Sequence, residues 1–329
     1  MNSGTTRISL PEIQEHLRPR LQVVREELQR IIEADFGLIA QVNSHLLQMQ
    51  GKMLRPTMVL LADEATGGPT DRIVSLAAVI ELIHVATLVH DDSVDHSTLR
   101  RGMPTVNAAF SHQISVIMGD YLYSRAVIEL VGLDDLEPLR VLSRVTNEMT
   151  IGEMRQLLAH DPLAFTEDDY DLLIRSKTAS LLSGACEVGA LTAAPDTRRV
   201  LRDFGMHLGM AFQIIDDLLD YTEVEAVTGK PSGSDLREQK VTLPLIYALP
   251  TLDAAERRQV DRLMTASEPT DEQIAEVIAA VTRAGGIDRA QERAQAIGRE
   301  AEQLLESLPP TPARDALSAS VTYVLERRS

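Results

Sequence analysis

The chain has 329 residues, of which 44% are hydrophobic and 25% charged, ordinary values for a soluble globular protein. A formal net charge of −17 repels nucleic acid and anionic membrane surfaces, so any anionic ligand needs a local cationic pocket. The single cysteine, Cys186, excludes an internal disulfide and any multi-cysteine metal site, and reads as a small core residue.

Leu, Ala, Met, Glu and Arg dominate the chain, which favours helix. Helical signals recur with short breaks, and no run of alternating apolar and polar residues suggests a sheet, so the expected fold is all-α. The first 20 residues hold no apolar stretch of signal-peptide length behind a basic region, so the expected location is cytoplasmic. Ser9 ahead of Pro11 marks the first helix start, and Gly67-Gly68-Pro69 the first clear break. Residues 74–89 form the most apolar segment. It is interrupted by Ser75, Glu81, His84 and Thr87 and runs into His90-Asp91-Asp92, so it predicts a buried helix and no transmembrane segment. Further breaks fall at Asp161-Pro162, Ala194-Pro195, residues 229–233, Gly285-Gly286 and Pro309-Pro310. Helix starts are signalled by Thr166 with Asp169, by Thr270 with Gln273 and by Thr311 ahead of Pro312. None of the breaks is long enough for a flexible linker, so one domain over residues 1–329 is expected.

The motif Asp-Asp-x-x-Asp occurs twice, at Asp91, Asp92, Asp95 and at Asp216, Asp217, Asp220, 125 residues apart. With about 100° per residue, the first and last carboxylates of each lie about 40° apart on a helix, with the middle one on their flank. Like charges at this spacing cost roughly 0.2–0.5 kcal/mol per pair on an exposed helix, and more where solvent is excluded. Carboxylates clustered without His or Cys suit hard cations, and magnesium usually takes one or two carboxylates plus substrate phosphates. One such motif alone in an acidic chain reads as a solvated face. Here residues 74–90 are apolar almost all round and residues 210–221 repeat the pattern, and a buried helix ending in three carboxylates has no ordinary surface explanation. Two such faces opposed across a cavity would clamp a diphosphate.

Cations stand in informative places: Gly51-Lys52-x-x-Arg55-Pro56 sets two of them one helical turn apart, and Arg100-Arg101-Gly102 follows the first motif. Other segments join them. They are Glu81-Leu-Ile-His84-x-Ala-Thr-Leu-x-His90, Gly119-Asp120-Tyr-Leu, Ser176-Lys177-Thr178, Phe212-Gln213, and Gly229-Lys230-Pro-x-Gly233-x-Asp235-Leu. With these, residues 50–249 resemble the trans-prenyltransferase, or polyprenyl diphosphate synthase, family. The family often has Gly-Gly-Lys-Arg-x-Arg-Pro where this chain has Gln50-Gly51-Lys52-Met53-Leu54-Arg55-Pro56, a departure that keeps both cations.

The resemblance implies an isoprenoid synthase helical bundle around a central cavity, working as a homodimer. It implies condensation of isopentenyl diphosphate with an allylic diphosphate, such as farnesyl diphosphate, by ionisation, condensation and elimination. On it, Lys52, Arg55, His84 and Arg101 form the isopentenyl diphosphate site, with Gly51 supplying backbone. Arg100, Lys177, Thr178, Gln213, Lys230 and Lys240 serve the allylic diphosphate, with Lys177, Thr178 and Gln213 beside the reacting carbon. Asp91, Asp95 and Asp216 are the principal magnesium ligands and Asp92, Asp217 and Asp220 further ligands or water holders, with three Mg2+ expected per active site. A histidine on an apolar helix is often a core residue, but His84 stands one heptad before Asp91, which favours the cavity-lining face.

The growing product must lie along the helices beneath the first motif, and the residues about one turn before Asp91 are Ala86 and Thr87. Short-chain family members tend to carry an aromatic residue at this level, so two small side chains resemble the medium-to-long-chain enzymes. Leu130 and Leu142 align roughly with a tunnel floor and equally well read as core leucines. An octaprenyl-like product, as in a quinone side chain, is expected. Three other readings compete. A class I terpene cyclase would carry a different second metal motif and would not need Lys52 and Arg55. A ferritin-like di-iron bundle would need more than the one Glu-x-x-His element that Glu81 and His84 provide. A non-catalytic subunit of a heteromeric synthase typically loses one aspartate motif, and this chain keeps both.

Overall fold

A computed structural model describes residues 8–49, 51–157, 162–222 and 233–327. The chain is 78% helical with about 1% strand, so the all-α expectation holds. In order come α1 (Leu10–Ile13), α2 (Arg18–Ile32), α3 (Gly37–Gln48), α4 (Leu54–Ala65) and α5 (Ile73–Val94). A hairpin of β1 (Leu99–Arg100) and β2 (Met103–Pro104) precedes α6 (Val106–Ala109), α7 (His112–Gly132) and α8 (Leu136–Leu157). Then follow α9 (Glu167–Ile174), a π-helical turn at Arg175–Ala179, α10 (Ser180–Gly189) and α11 (Pro195–Thr222). The last elements are α12 (Ser234–Arg237), α13 (Leu243–Ala248), α14 (Ala254–Met264), α15 (Asp271–Arg283), α16 (Gly286–Leu305) and α17 (Pro312–Glu326).

The capping residues read from the sequence sit where they were expected. Thr166 accepts from the Asp169 N–H at 3.2 Å, Thr270 from Gln273 at 3.3 Å and Thr311 from Arg314 at 3.2 Å, while the Glu12 carboxylate takes the Ser9 N–H at 2.7 Å. Each satisfies a donor that the helix leaves open, worth about 1 kcal/mol. The hairpin is a departure from the sheet-free expectation. It pairs Leu99 with Pro104 and Arg100 with Met103. Two-residue strands are too short to show alternation, and the turn is made by positive φ at both Arg101 (53°) and Gly102 (75°).

The chain divides into two compact units. One runs up to Thr146 and adds Leu181–Gly205 and Leu305–Ser320; the other comprises Asn147–Ser180, Met206–Leu304 and the residues from Val321 on. In the first, α5 is the central element, with α2, α4 and α7 packed against it. Ala77, Ile80 and Ile83 of α5, Met58 and Leu61 of α4, Val24 and Ile31 of α2 and Met118 and Leu122 of α7 are all buried, each large one worth roughly 1.5–3 kcal/mol. By length and composition α5 could cross a membrane, but 61% of its apolar stretch is buried within the protein. Cys186 is fully buried, as a core residue should be. In the second unit, Tyr221, Leu236, Leu245, Val260, Leu263, Ile274 and Val277 belong to one core. Here α14 packs on α15, and α13 packs on both α15 and α9.

Candidate active site

In the first unit, α5 presents Glu81, His84, Val85, Leu88, Val89 and Asp92 to a cavity of about 100 Å³. Arg25 from α2, Met49, Gly51 and Met53 from the segment before α4, and Arg100 and Arg101 from the hairpin complete its polar and backbone wall. Arg100 grips Asp92 with two nitrogens, Nε at 2.8 and 3.0 Å and Nη2 at 2.7 Å. Burial works against the charge of Arg100, and Asp92, helped by Asp91 and Asp95, more than offsets it. Arg101 reaches the Met49 carbonyl through Nη1 at 2.7 Å. A Cβ at Gly51 would stand 3.1 Å from Glu81 Oε1 and 3.2 Å from Arg101 Nη1, a tight fit that these two side-chain ends would have to relieve by shifting a few tenths of an ångström.

The cationic side of this cavity is under-compensated. Arg55 is depressed by burial and by Arg101 against the pull of Glu81, and its Nε is buried without a hydrogen-bond partner. Burial lowers Arg101 too, with Arg100 adding to the effect. His84 is held well below its usual range, first by burial and then by Arg55, Arg101 and Arg100, so it stays neutral. Glu81 is raised by burial although Arg55, Arg101 and Arg25 all pull it down.

His84 shares this cavity with Asp92 rather than with Asp91. The rotation explains it: at about 100° per residue the lining positions of α5 fall to one side of His84, with Asp92 near the middle of the arc and Asp91 beyond its edge. Asp92 is buried, Asp91 half-buried and Asp95 exposed, and Lys52 is also exposed. Ala86 is buried, Thr87 is half-buried with its hydroxyl donating to the His84 carbonyl at 2.8 Å, and Leu130 and Leu142 are buried.

In the second unit, α11 carries the other motif. Asp217 is buried and accepts from Tyr170 Oη at 2.6 Å and from Gln213 Nε2 at 2.7 Å, while Gln213 Oε1 accepts from Thr178 Oγ1 at 2.8 Å. Burial, with Asp235 adding, pushes Asp217 well above the usual carboxylate range, and the Tyr170 and Gln213 donors oppose that rise. Asp220 accepts the backbone N–H of Ser234 and of Asp235, each at 2.9 Å, and so holds the start of α12. Asp235 is pushed up to about 7 by burial and by Asp220, against Lys240. Asp216 is exposed and pairs with Arg327 Nη2 at 2.5 Å. Lys177, in the π-helical turn, lies 2.5 Å from Glu153 and 3.1 Å from Gln156 Oε1, and Lys240 lies 2.5 Å from Glu238. That turn approaches α11 closely at Gly209, where a Cβ would stand 2.5 Å from Ala179 Cα. Lys230 lies outside the described residues.

Thus the structure gathers His84, Arg100, Arg101 and Asp92 at one cavity, with Arg55 close enough for its charge to act on His84, and Thr178, Gln213 and Asp217 in one hydrogen-bonded chain. Tyr170, Arg327 and Glu153 were not singled out by the sequence reading. Tyr170 meets Asp217 across 47 residues and Arg327 meets Asp216 across 111, so no local spacing could have announced them. Among the described residues, no three His, Cys, Asp or Glu side chains close on one point as a preformed metal cage.

The architecture is the isoprenoid synthase helical fold. Residues 37–281 match the family model described as Polyprenyl synthetase, a longer stretch than the motifs alone cover. The all-trans-nonaprenyl-diphosphate synthase (geranyl-diphosphate specific) of Rhodobacter capsulatus is 42% identical over 298 residues, 90% of this chain and 91% of that protein. The octaprenyl diphosphate synthase of Escherichia coli is 36% identical over 97% of this chain and 99% of its own. A polyprenyl synthase from Caulobacter crescentus, crystallised with calcium and isoprenyl diphosphate, aligns with a TM-score of 0.93 at 32% identity, covering 98% of this chain and 99% of that one. Relatives between 33% and 42% identical include heptaprenyl, octaprenyl and nonaprenyl diphosphate synthases. The chain belongs to the polyprenyl synthetase family and is a prenyltransferase.

Proposed function

We propose that this chain is an all-trans polyprenyl diphosphate synthase that condenses isopentenyl diphosphate with an allylic diphosphate, carrying a farnesyl-type primer to a medium or long product such as octaprenyl diphosphate. The observation that carries the reading is the cavity on α5, lined by Arg100, Arg101 and a neutral His84, beside which Arg55 keeps one guanidinium N–H buried without an acceptor. A diphosphate would supply acceptors and negative charge at that place. Lys52, Arg55, His84 and Arg101, with the backbone of Gly51, would hold isopentenyl diphosphate; Arg100, Lys177, Lys230 and Lys240 would serve the allylic diphosphate.

The family is metal-dependent. The donor set fits a hard divalent cation: both motifs offer carboxylates only, and the absence of a preformed cage among the described residues suits an ion whose shell is completed by water and phosphate oxygens. Asp91, Asp95 and Asp216 would hold magnesium, three ions per site, with Asp92, Asp217 and Asp220 as further ligands or water holders. Bound magnesium supplies positive charge that stabilises the departing diphosphate.

The residues of the chain do the rest. Lys177 and Arg100 orient the allylic diphosphate so that its C–O bond breaks heterolytically, leaving an allylic cation. The Thr178 hydroxyl oxygen, fixed by its 2.8 Å bond to Gln213, turns a lone pair to that cation. The isopentenyl double bond attacks, and the proton lost in the last step goes to the released diphosphate, so no protein base is required. Apolar side chains such as Ile214 and Leu218 exclude the water that would quench the cation. The small side chains of Ala86 and Thr87 favour a long product, and Leu130 and Leu142 would floor its tunnel. We further place the chain in the cytoplasm as a homodimer, with one domain over residues 1–329, a reading supported by a family match over residues 37–281.

The test is an incubation of the purified protein with farnesyl diphosphate, labelled isopentenyl diphosphate and magnesium, followed by dephosphorylation and sizing of the products. Elongated all-trans chains are expected, and no elongation from any allylic primer would sink the reading. Asp91→Ala and Asp216→Ala should each lose several orders of magnitude in turnover with the helical circular dichroism intact.

A further inference from the structure

Arg327, the residue after α17, has no part in the scheme above. Its side chain is 6% exposed, whereas that of its partner Asp216 is 56% exposed. Three contacts fix it: Nη2 lies 2.5 Å from Asp216 Oδ1 and donates to the Phe212 carbonyl at 3.2 Å, and the guanidinium lies 3.8 Å above the centre of the Phe212 ring. Phe212 and Asp216 are four residues apart on α11, so one exposed strip of that helix cradles the whole planar group. Its Nε is buried with no hydrogen-bond partner, which leaves the guanidinium tied to α11 through one edge.

We propose that Arg327 is a resident counter-ion of the second aspartate motif, a positioning residue that holds Asp216 in its site and against whose charge a divalent cation must bind there. This rests on the reading of Asp216 as a metal ligand. A guanidinium on Asp216 Oδ1 neutralises part of the carboxylate's charge, and a cation ligated by the same carboxylate would stand close to that second positive charge. The arginine therefore lowers metal affinity at Asp216 while keeping the carboxylate in place when no cation is bound. Its stacking on Phe212 gives it a fixed seat, so this is a competition between two defined occupants and not a loose surface pair.

The test measures binding of manganese(II) in the presence of inorganic pyrophosphate, by electron paramagnetic resonance of the free ion. Arg327→Met keeps the apolar stem on Phe212 and removes the charge. It should tighten the weakest manganese site by about three- to fivefold, the effect of one partly exposed ion pair. Phe212→Leu keeps every charge but takes away the seat, and should move affinity in the same direction by less. A thermal melt reports whether each variant is folded, and a damaged fold would weaken binding, the opposite sign. Unchanged or weaker binding in a folded Arg327→Met would overturn the proposal. Asp216→Asn separates the two ideas: if it leaves manganese binding untouched, the metal-ligand reading of Asp216 has failed, whereas its loss of a site beside an unchanged Arg327→Met condemns only the counter-ion role.

Discussion

Tyr170→Phe isolates one hydrogen bond at the centre of the second unit. The tyrosine is 2% exposed and donates at 2.6 Å to Asp217, itself 5% exposed, so neither group can turn to water when the bond is lost. Hydrogen bonds to charged groups are worth about 1.5–3 kcal/mol, and Asp217 would keep only Gln213 as a side-chain donor, so a loss of about 2 kcal/mol is expected. The sign of its pH dependence also follows. The hydroxyl stabilises the carboxylate and not the carboxylic acid, and burial has already pushed Asp217 well up. The penalty should therefore be larger at pH 8 than at pH 5. Urea unfolding of metal-free wild type and variant at both pH values measures it, with the variant Gln213→Leu and the double variant completing a cycle in which the two donors are coupled. A loss below about 0.5 kcal/mol at pH 8, or one larger at pH 5, would refute the claim that Tyr170 braces an ionised Asp217.

His84 is depressed below 6.5 in the folded chain, so the unfolded chain takes up a proton that the folded one refuses; stability is intact above about pH 6.5 and is lost as pH falls through it, by about 1.4 kcal/mol at pH 5.5. His84→Gln should remove that slope in urea midpoints taken across the range. Gly209→Ala drives a methyl group to within 2.5 Å of Ala179 Cα, so it should cost about 1–3 kcal/mol in unfolding and lower turnover by disturbing the bond between Thr178 and Gln213. Leu142→Ala opens a buried position and should lengthen the products, and an unchanged size distribution would return Leu142 to ordinary core.

Helix starts were legible because they are local: Thr166 and Asp169, or Thr270 and Gln273, meet three residues apart and need no tertiary context. The two aspartate helices were legible for a different reason, since an apolar run ending in carboxylates is anomalous within a single window. What the sequence could not show is which donor meets which carboxylate. Asp220 reads as one more acidic member of its motif, yet it accepts two backbone N–H groups from α12 fourteen and fifteen residues away. His84 does line a cavity on α5, while the acidic motif residue lining it is Asp92, because the cavity lies to one side of the heptad line. Arg100 and Arg101 read as a pair of cations; that Arg101 and Gly102 form a two-residue hairpin loop depends on a left-handed backbone at Arg101 that composition does not announce.

The motif carboxylates are already answered from within the chain, Asp92 by Arg100, Asp216 by Arg327, Asp217 by Tyr170 and Gln213, and Asp220 by two amides. A domain built this way does not rely on its ions to stand. Structural zinc modules collapse under a chelator because metal binding is their folding energy. Here EDTA should switch turnover off while leaving the melting transition nearly where it was, and dialysis into magnesium should restore activity without a refolding step.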